Sequence, residues 1–141
     1  MMTRHITLPN DISKTPQLAE FVEGICEEVG CDFSTTMQIN LAIEEAVVNV
    51  MNYAYPPGTR GDVDIDVSAD EQWLTFDIID SGKPFDPTAR GEVDTTLSAE
   101  ERSIGGLGIH MMRRYMDSIG YKRADGKNIL TMRKRLGPNN A

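Results

Sequence analysis

Apolar residues recur at three- and four-residue spacing in two stretches of the N-terminal half. The first stretch follows Thr15-Pro16, a typical N-cap with proline at the first helical position, and ends at Gly30. The second follows a candidate cap at Ser34 and covers residues 35–54, where prolines and a glycine stop it. The pattern therefore predicts two helices with apolar stripes, and the second is the longest element of the chain.

Alternation of apolar and polar residues predicts strands elsewhere. In one segment Val and Ile alternate with Asp, and a polar turn near Asp70 separates it from a segment rich in strand-forming residues. An Asp125-Gly126 pair, typical of a tight hairpin turn, separates two further segments near the C-terminus. The predicted strands are residues 4–8, 62–67, 73–80, 118–124 and 128–136.

Between the two hairpins, residues 81–106 contain few apolar positions and no sustained period. A connection of this length is usually functional or disordered. A third helix is predicted over residues 107–117, directly after a glycine run. The order of elements predicts an α+β fold in which helices pack on one face of a mixed, mostly antiparallel sheet. We expect one domain over residues 1–141, with a frayed tail at 137–141.

The composition and net charge of the chain exclude several classes of function. A chain of 141 residues with 40% hydrophobic content is long enough for one core without disulfides or metal. Cys26 and Cys31 match no metal-ligand spacing, and neither a signal segment nor an apolar run of about 20 residues is present. The net charge of −8 argues against nucleic acid and anionic lipid as partners. We therefore expect a cytoplasmic protein whose partners are proteins or small molecules.

The same acidic charge would repel a phosphate-rich ligand. A nucleotide bound by this chain would depend on Mg²⁺, on backbone N–H groups and on a few local cations. Three clusters of residues can be tested against that requirement.

The first cluster is Glu45, Asn49 and Asn52, which share an arc of roughly 60° on the second helix. An asparagine oxygen is a suitable ligand for Mg²⁺, and a carboxylate one turn earlier can accept a proton from an attacking hydroxyl. The alternative is a solvated helix face without chemistry.

The second cluster is Asp80-Ser81-Gly82, where a predicted strand ends. A carboxylate there can accept a hydrogen bond from an exocyclic amine such as that of adenine, although the same residue types also make plain turns. The third cluster opens a predicted helix, where glycines allow close approach to an anion or simply a flexible helix entry. Its residues are Gly105, Gly106, Leu107 and Gly108.

The three clusters, in this order, resemble the N box and the two glycine boxes of the GHKL ATPases. Residues 45–55, Glu-Ala-Val-Val-Asn-Val-Met-Asn-Tyr-Ala-Tyr, look like the N box, and residues 80–82 and 105–108 look like the glycine boxes. The compact chain with Glu-Ala before the asparagine resembles the anti-sigma-factor serine/threonine kinases of this superfamily. The resemblance implies the Bergerat fold, a two-layer α/β sandwich.

The resemblance also implies roles for individual residues. Glu45 is then the catalytic base, Asn49 the Mg²⁺ ligand and Asp80 the adenine partner, and the long loop becomes an ATP lid. Arg102 is expected to contact the terminal phosphate, with a solvated lid residue as the alternative. The residues expected to bind nucleotide are Asn49, Asn52, Asp80, Gly82, Arg102, Gly105, Gly106, Leu107 and Gly108.

The chain departs from the family pattern at two places. Tyr53 stands where many relatives carry histidine, so phosphate contact from that position does not carry over. The first helix contains glutamates but no arginine, whereas arginine there helps some relatives to hold their protein partner.

The expected function is transfer of a phosphoryl group from Mg-ATP to a serine or threonine of a small regulatory protein. By the resemblance, partners are a sigma factor or an antagonist of the anti-sigma factor, and the sequence leaves a homodimer open. One alternative is a binding module that ATP gates without phosphate transfer. Another is a detached histidine-kinase catalytic domain, although neither His5 nor His110 has a plausible phosphoacceptor context.

Overall fold

The computed structural model describes residues 2–90 and 106–136. The predicted order of strands and helices is present in this part, with two short 3₁₀ turns at Ile12–Lys14 and Pro87–Arg90. The strands and helices are β1 (Met2–Pro9), α1 (Thr15–Glu28), α2 (Phe33–Tyr53), β2 (Asp62–Ala69), β3 (Trp73–Asp80), α3 (Gly106–Tyr115), β4 (Ser118–Ala124) and β5 (Lys127–Arg135).

The strands form one five-stranded sheet in the order β1-β2-β3-β5-β4. Every neighbouring pair of described strands is antiparallel, so the sheet is less mixed than the sequence suggested. Asp125 and Gly126 both have positive φ, 55° and 75°, as the predicted tight turn between β4 and β5 requires. That turn sets the register of β4 with β5, and on the other side of β5 Asn128 lies opposite Asp80 of β3.

The core lies between the helices and one face of this sheet, which confirms the predicted α+β arrangement. Alternate residues of β2, β3 and β5 are buried against apolar residues of α1 and α2. Strand positions between them face outward, which is why Asp alternates with Val and Ile along β2. Phe76, in the middle of β3, is among the largest fully buried side chains.

The two N-terminal helices are joined by a short connection with defined caps. Gly30 has φ of 81°, and its N–H donates to Glu27 while the Cys31 N–H donates to Cys26, which is the Schellman pattern. The cap of α2 is Asp32 and not Ser34, because the Asp32 carboxylate accepts from the Thr35 N–H at 2.7 Å. These hydrogen bonds from Thr35 lower the pKa of Asp32.

Some sequence predictions lie outside the described residues. These are most of the long connection, residues 91–105, and the C-terminal tail, residues 137–141. The third helix begins at Gly106 and ends at Tyr115, two residues before its predicted end. No helix in the described ranges 2–90 and 106–136 is both long and apolar enough to cross a membrane.

Candidate functional site

Asp80 is the last residue of β3, and only 3% of it is exposed. Its Oδ1 accepts two hydrogen bonds, from the Gly82 N–H at 2.9 Å and from Asn128 Nδ2 at 2.9 Å. Burial raises the pKa of Asp80 despite the opposing effect of these two donors. Its Oδ2 has no hydrogen-bond partner among the described residues. One oxygen of a buried carboxylate is therefore left without a donor from the part of the chain that the structure describes.

Asn128 holds this carboxylate from the neighbouring strand, and the sequence reasoning missed it. Its Nδ2 also donates to the Lys83 carbonyl at 2.8 Å, and its Oδ1 accepts from the Phe85 N–H at 3.1 Å and from the Tyr121 hydroxyl. One buried amide thus connects β3, β4, β5 and the loop after β3. A signal was present in the sequence, because alternation along β5 puts Asn128 on the same face as Leu130 and Met132.

Gly82 lies against the C-terminal end of α2. A Cβ atom at this position would be 2.1 Å from the Ala54 carbonyl oxygen, so no side chain fits without movement of the backbone. That carbonyl also accepts from the Lys83 N–H at 2.8 Å. The Gly82 carbonyl in turn accepts from Arg123 Nη1 at 2.8 Å. The loop after β3 is therefore fixed to α2 by a backbone hydrogen bond and to β4 by the Arg123 side chain.

Three aromatic residues complete the junction between α2 and this loop. The Tyr55 hydroxyl donates to the Asp62 carbonyl at 2.6 Å and accepts from the Ser81 N–H at 3.0 Å. The ring centroids of Tyr53 and Phe85 lie 6.2 Å apart with a 43° tilt. Tyr53 thus packs on the loop.

The predicted stripe of α2 is present, but its three residues differ in exposure. Asn49 is buried, with 8% exposed, whereas Glu45 is half-buried and Asn52 is exposed. Within the described residues, the side chains of Asn49 and Glu45 make no hydrogen bond or ion pair. Burial raises the pKa of Glu45, and the negative charge of Glu44 adds to the effect. Burying an amide without a hydrogen-bond partner is unusual because it costs folding free energy, and a ligand that bonds to the amide would remove that cost.

This stripe fits a magnesium ion that is held mainly by a nucleotide. Among residues 2–90 and 106–136 no group of three or more His, Cys, Asp or Glu side chains is arranged to hold a metal. Mg²⁺ commonly takes only one or two protein ligands and fills its octahedron with water and phosphate oxygens. The orphaned Asn49 amide is compatible with that kind of site.

The third predicted cluster is only partly within the described residues. Gly106, Leu107 and Gly108 form the first turn of α3, whereas Gly105 and Arg102 lie outside the described ranges. Helix α3 packs against α2. Arg113 Nη2 on α3 donates to the Thr88 carbonyl at 3.0 Å, which joins α3 to the segment after β3. The structure therefore joins the first two clusters at the C-terminal end of α2, and α3, which begins with the described part of the third cluster, packs against the same helix.

Comparisons with known proteins agree with this arrangement. The family model described as "Histidine kinase-like ATPase domain" matches residues 8–134. The serine/threonine-protein kinase BtrW of Bordetella bronchiseptica is 28% identical over 100 residues, which are 71% of this chain and 70% of that protein. The serine-protein kinase RsbW of Bacillus subtilis is 24% identical over 127 residues, or 82% of this chain and 79% of that one.

Two solved structures share the fold. The crystal structure of the RsbU and RsbW domains of Rv1364c from Mycobacterium tuberculosis matches 96% of this chain with a TM-score of 0.68 and 18% identity. The present chain spans about a third, 32%, of that longer one. The SiaB-SiaC complex from Pseudomonas aeruginosa matches 94% of this chain and 89% of the solved chain, with a TM-score of 0.53 and 15% identity.

Proposed function

Because the chain belongs to the histidine kinase-like ATPase domain family, we propose that it is an ATP-dependent serine/threonine protein kinase of the anti-sigma-factor type. We propose that a single domain, residues 1–141, binds and phosphorylates a small regulatory protein. The observation that carries this proposal is the pair Glu45 and Asn49, two polar side chains one turn apart on α2 that have no partner among the described residues. The names of the relatives, serine or serine/threonine kinases, support the same reaction.

Asp80 would select adenine. Its unpartnered Oδ2 is an acceptor, so it suits the exocyclic amine of adenine, and its bonded Oδ1 is already held in place by Gly82 and Asn128. An acceptor held by internal bonds needs no reorganisation when the base enters. Gly82 would keep the loop that carries Asp80 close against α2, because a side chain at this position would meet the Ala54 carbonyl oxygen.

Asn49 would ligate Mg²⁺ through its Oδ1. The ion, when bound, neutralises charge on the transferring phosphate. The N–H groups at the start of α3, in Gly106, Leu107 and Gly108, would receive phosphate oxygens at the positive end of the helix. We further propose that Gly105 and Arg102 extend this contact.

Glu45 would accept the proton of the partner's serine or threonine hydroxyl. The hydroxyl oxygen then forms a bond to the γ-phosphorus, the bond from that phosphorus to the β,γ-bridging oxygen breaks, and ADP leaves. A raised pKa makes the Glu45 carboxylate a stronger base than an exposed glutamate. Asn52, exposed on the same stripe, would hydrogen-bond the nucleotide from the solvent side.

A capture and transfer experiment tests this proposal. The chain is used to recover proteins from native lysate with and without Mg-ATP, and the recovered protein is then incubated with γ-labelled ATP. We expect label on serine or threonine. Glu45→Gln should bind Mg-ATP normally and transfer at least about 100-fold more slowly, since general-base catalysis contributes that much.

The matched control is Glu20→Gln, an exposed glutamate of α1, which should transfer at the wild-type rate. If Glu45→Gln also transfers at that rate, Glu45 is not the base. If the wild type captures a protein only with ATP but labels none, the chain is a non-catalytic ATP-gated module instead.

A further inference from the structure

An apolar stripe on the first half of α2 is exposed. Phe33, Met37 and Leu41 lie at four-residue intervals, and their exposed fractions are 82%, 45% and 36%. Residues at this spacing share one side of a helix. They are three of the four large hydrophobic residues recorded as exposed in the described part of the chain. The apolar surface is therefore concentrated in one place.

The stripe forms one wall of a groove between α1 and α2, which we call the α1–α2 groove. Its volume is about 580 Å³, and Ala19 and Thr36 contribute to its lining. The charged residues that line it are Glu23, Glu27 and Glu44, so its charge is entirely acidic. Asn40 Nδ2 approaches Glu23 Oε1 at 3.5 Å across the groove. The surface thus combines an apolar wall with an acidic rim.

We propose that the α1–α2 groove binds a basic amphipathic helix of a partner protein. Its apolar side would cover Phe33, Met37 and Leu41, and lysine or arginine side chains on its flanks would pair with Glu23 and Glu27. A groove between two helices suits a third helix laid along it. Complementary charge also speeds encounter and excludes acidic proteins.

A second copy of this chain is a poorer occupant. Its net charge is −8, and a two-fold contact through this face would place the same acidic rim on both sides. Like charges facing each other across an interface disfavour association. The groove chemistry therefore selects a basic partner over self-association.

The groove also lies beside the proposed catalytic stripe. Met37 and Glu45 are on the same helix, about 12 Å apart along its axis at the standard rise per residue. A partner docked in the groove would be held next to Glu45 by one rigid element. The inference depends on the proposed function only in assuming a protein partner, and its test needs no nucleotide.

The test uses a fluorescent synthetic helix of about 18 residues with a leucine stripe flanked by lysines. We expect saturable binding to the full chain by fluorescence anisotropy, weakened by added salt because exposed charges are screened. A peptide with glutamate in place of every lysine should bind at least about tenfold more weakly. A lysine peptide with its leucines scrambled off one face should bind equally poorly.

Variants of the chain locate the binding. Phe33→Asp should weaken the lysine peptide at least about tenfold, and Glu27→Lys should do the same through charge. The matched controls are Ile12→Asp, an apolar residue outside the groove that is 55% exposed, and Glu20→Lys, on the same helix as Glu27; both variants should bind the peptide as the wild type does. Because Phe33 is 82% exposed, its variant should keep the wild-type melting temperature and Mg-ATP affinity.

Several results would overturn the proposal. These are no binding of the lysine peptide, equal binding of the glutamate peptide, or no effect of Phe33→Asp and Glu27→Lys. A wild-type dimer in sedimentation that Phe33→Asp dissociates would make the face a self-interface instead. If the peptide binds as expected but the wild type binds no Mg-ATP, the groove stands and the proposed kinase function fails.

Discussion

The two ends of the candidate site are built in opposite ways. At the end of β3, Asp80 and Asn128 are buried and connected by hydrogen bonds to each other and to the loop. On α2, Asn49 is also buried, yet it has no partner in the described part of the chain, and the half-buried Glu45 has none either. The hydrogen bonds at the β3 end stabilise the fold. On α2, burial of polar groups without a partner among the described residues costs folding free energy.

This difference indicates which polar groups would obtain their hydrogen-bond partners from a ligand. A bonded carboxylate presents its free oxygen in a fixed direction, so the β3 end is ready before a ligand arrives. Unpaired polar groups gain partners only when a ligand supplies them, so the α2 end gains most from binding. Mutations that break the hydrogen bonds or packing at the β3 end should therefore reduce folding stability, and mutations on α2 should reduce binding and catalysis.

The largest effect on stability is expected for Gly82→Ala. The added methyl group meets the Ala54 carbonyl oxygen at 2.1 Å, so the loop must move, and unfolding free energy should fall by about 3 kcal/mol. Urea denaturation measures this. The matched control is Gly24→Ala in α1, where a Cβ meets nothing within 4 Å, and the variant should gain about 0.5 kcal/mol. Equal stability of the two variants would show that the loop is not fixed to α2.

The two buried asparagines provide the direct comparison. Asn128→Ala leaves the donors of Phe85 and Tyr121 unsatisfied and should cost about 2 kcal/mol of stability. Asn49→Ala removes an amide that has no partner within residues 2–90 and 106–136, so it should change stability by less than about 0.5 kcal/mol, while Mg-dependent ATP affinity falls about tenfold. Urea titration and calorimetry with and without Mg²⁺ test both. A large stability loss in Asn49→Ala would contradict the orphaned state of this side chain.

Asp80→Asn should separate ligand binding from stability at the β3 end. The Asn oxygen can accept from Gly82 and Asn128 as Oδ1 does, but its amide group points a donor at the adenine amine. ATP affinity should fall by about 1.5 kcal/mol, and stability should not decrease, because a buried charge is removed. Asp77→Asn, on the outer face of the same strand, is the control and should bind ATP normally. Unchanged affinity in Asp80→Asn would remove Asp80 from the adenine role.

The smallest expected effect concerns the pH dependence of folding stability, to which two carboxyl groups contribute with opposite signs. The pKa of Glu45 is raised above its ordinary 4.5, so its contribution to stability is present below that value and is lost as pH rises through the folded pKa. The pKa of Asp32 is lowered below 3.8, so its contribution is present above that value and is lost as pH falls. Relative to wild type, Glu45→Gln should gain stability between pH 4 and 7, by less than about 1 kcal/mol.

At lower pH, between about 2 and 4, Asp32→Asn keeps the cap oxygen but loses the charge, so it should lose stability relative to wild type as pH rises. Urea midpoints measured across the two pH ranges follow the two trends. Parallel trends in the two variants would contradict the burial of Glu45.

Local patterns in the sequence predicted the parts of the molecule that depend on neighbouring residues. Helical spacing put Glu45 and Asn49 on one stripe, and the Asp125-Gly126 pair gave the turn between β4 and β5. The predicted cap at Ser34 was wrong because Asp32, two residues earlier, accepts the same kind of backbone hydrogen bond.

Contacts between distant segments could not be predicted in the same way. The partnership of Asn128 with Asp80 depends on the β3–β5 register, and the need for glycine at position 82 depends on a carbonyl 28 residues earlier in the chain. Neither contact follows from a local pattern. The exposure of Phe33 could not be predicted from the sequence either, because its residue type does not distinguish it from the apolar residues of the core.

Because Gly82 contacts Ala54, helix α2 fixes the spacing between the two ends of the candidate site. The loop that carries Asp80 is fixed to the helix at Ala54, and Asn49 lies five residues before that point, about 7.5 Å along the axis. The helix thus sets the distance between the two ends of any ligand that touches both. Inserting one residue between 49 and 54 would add about 1.5 Å and turn the stripe by about 100°. Residues 49–54 of α2 therefore determine how long that ligand can be, and an insertion or deletion there would change this length.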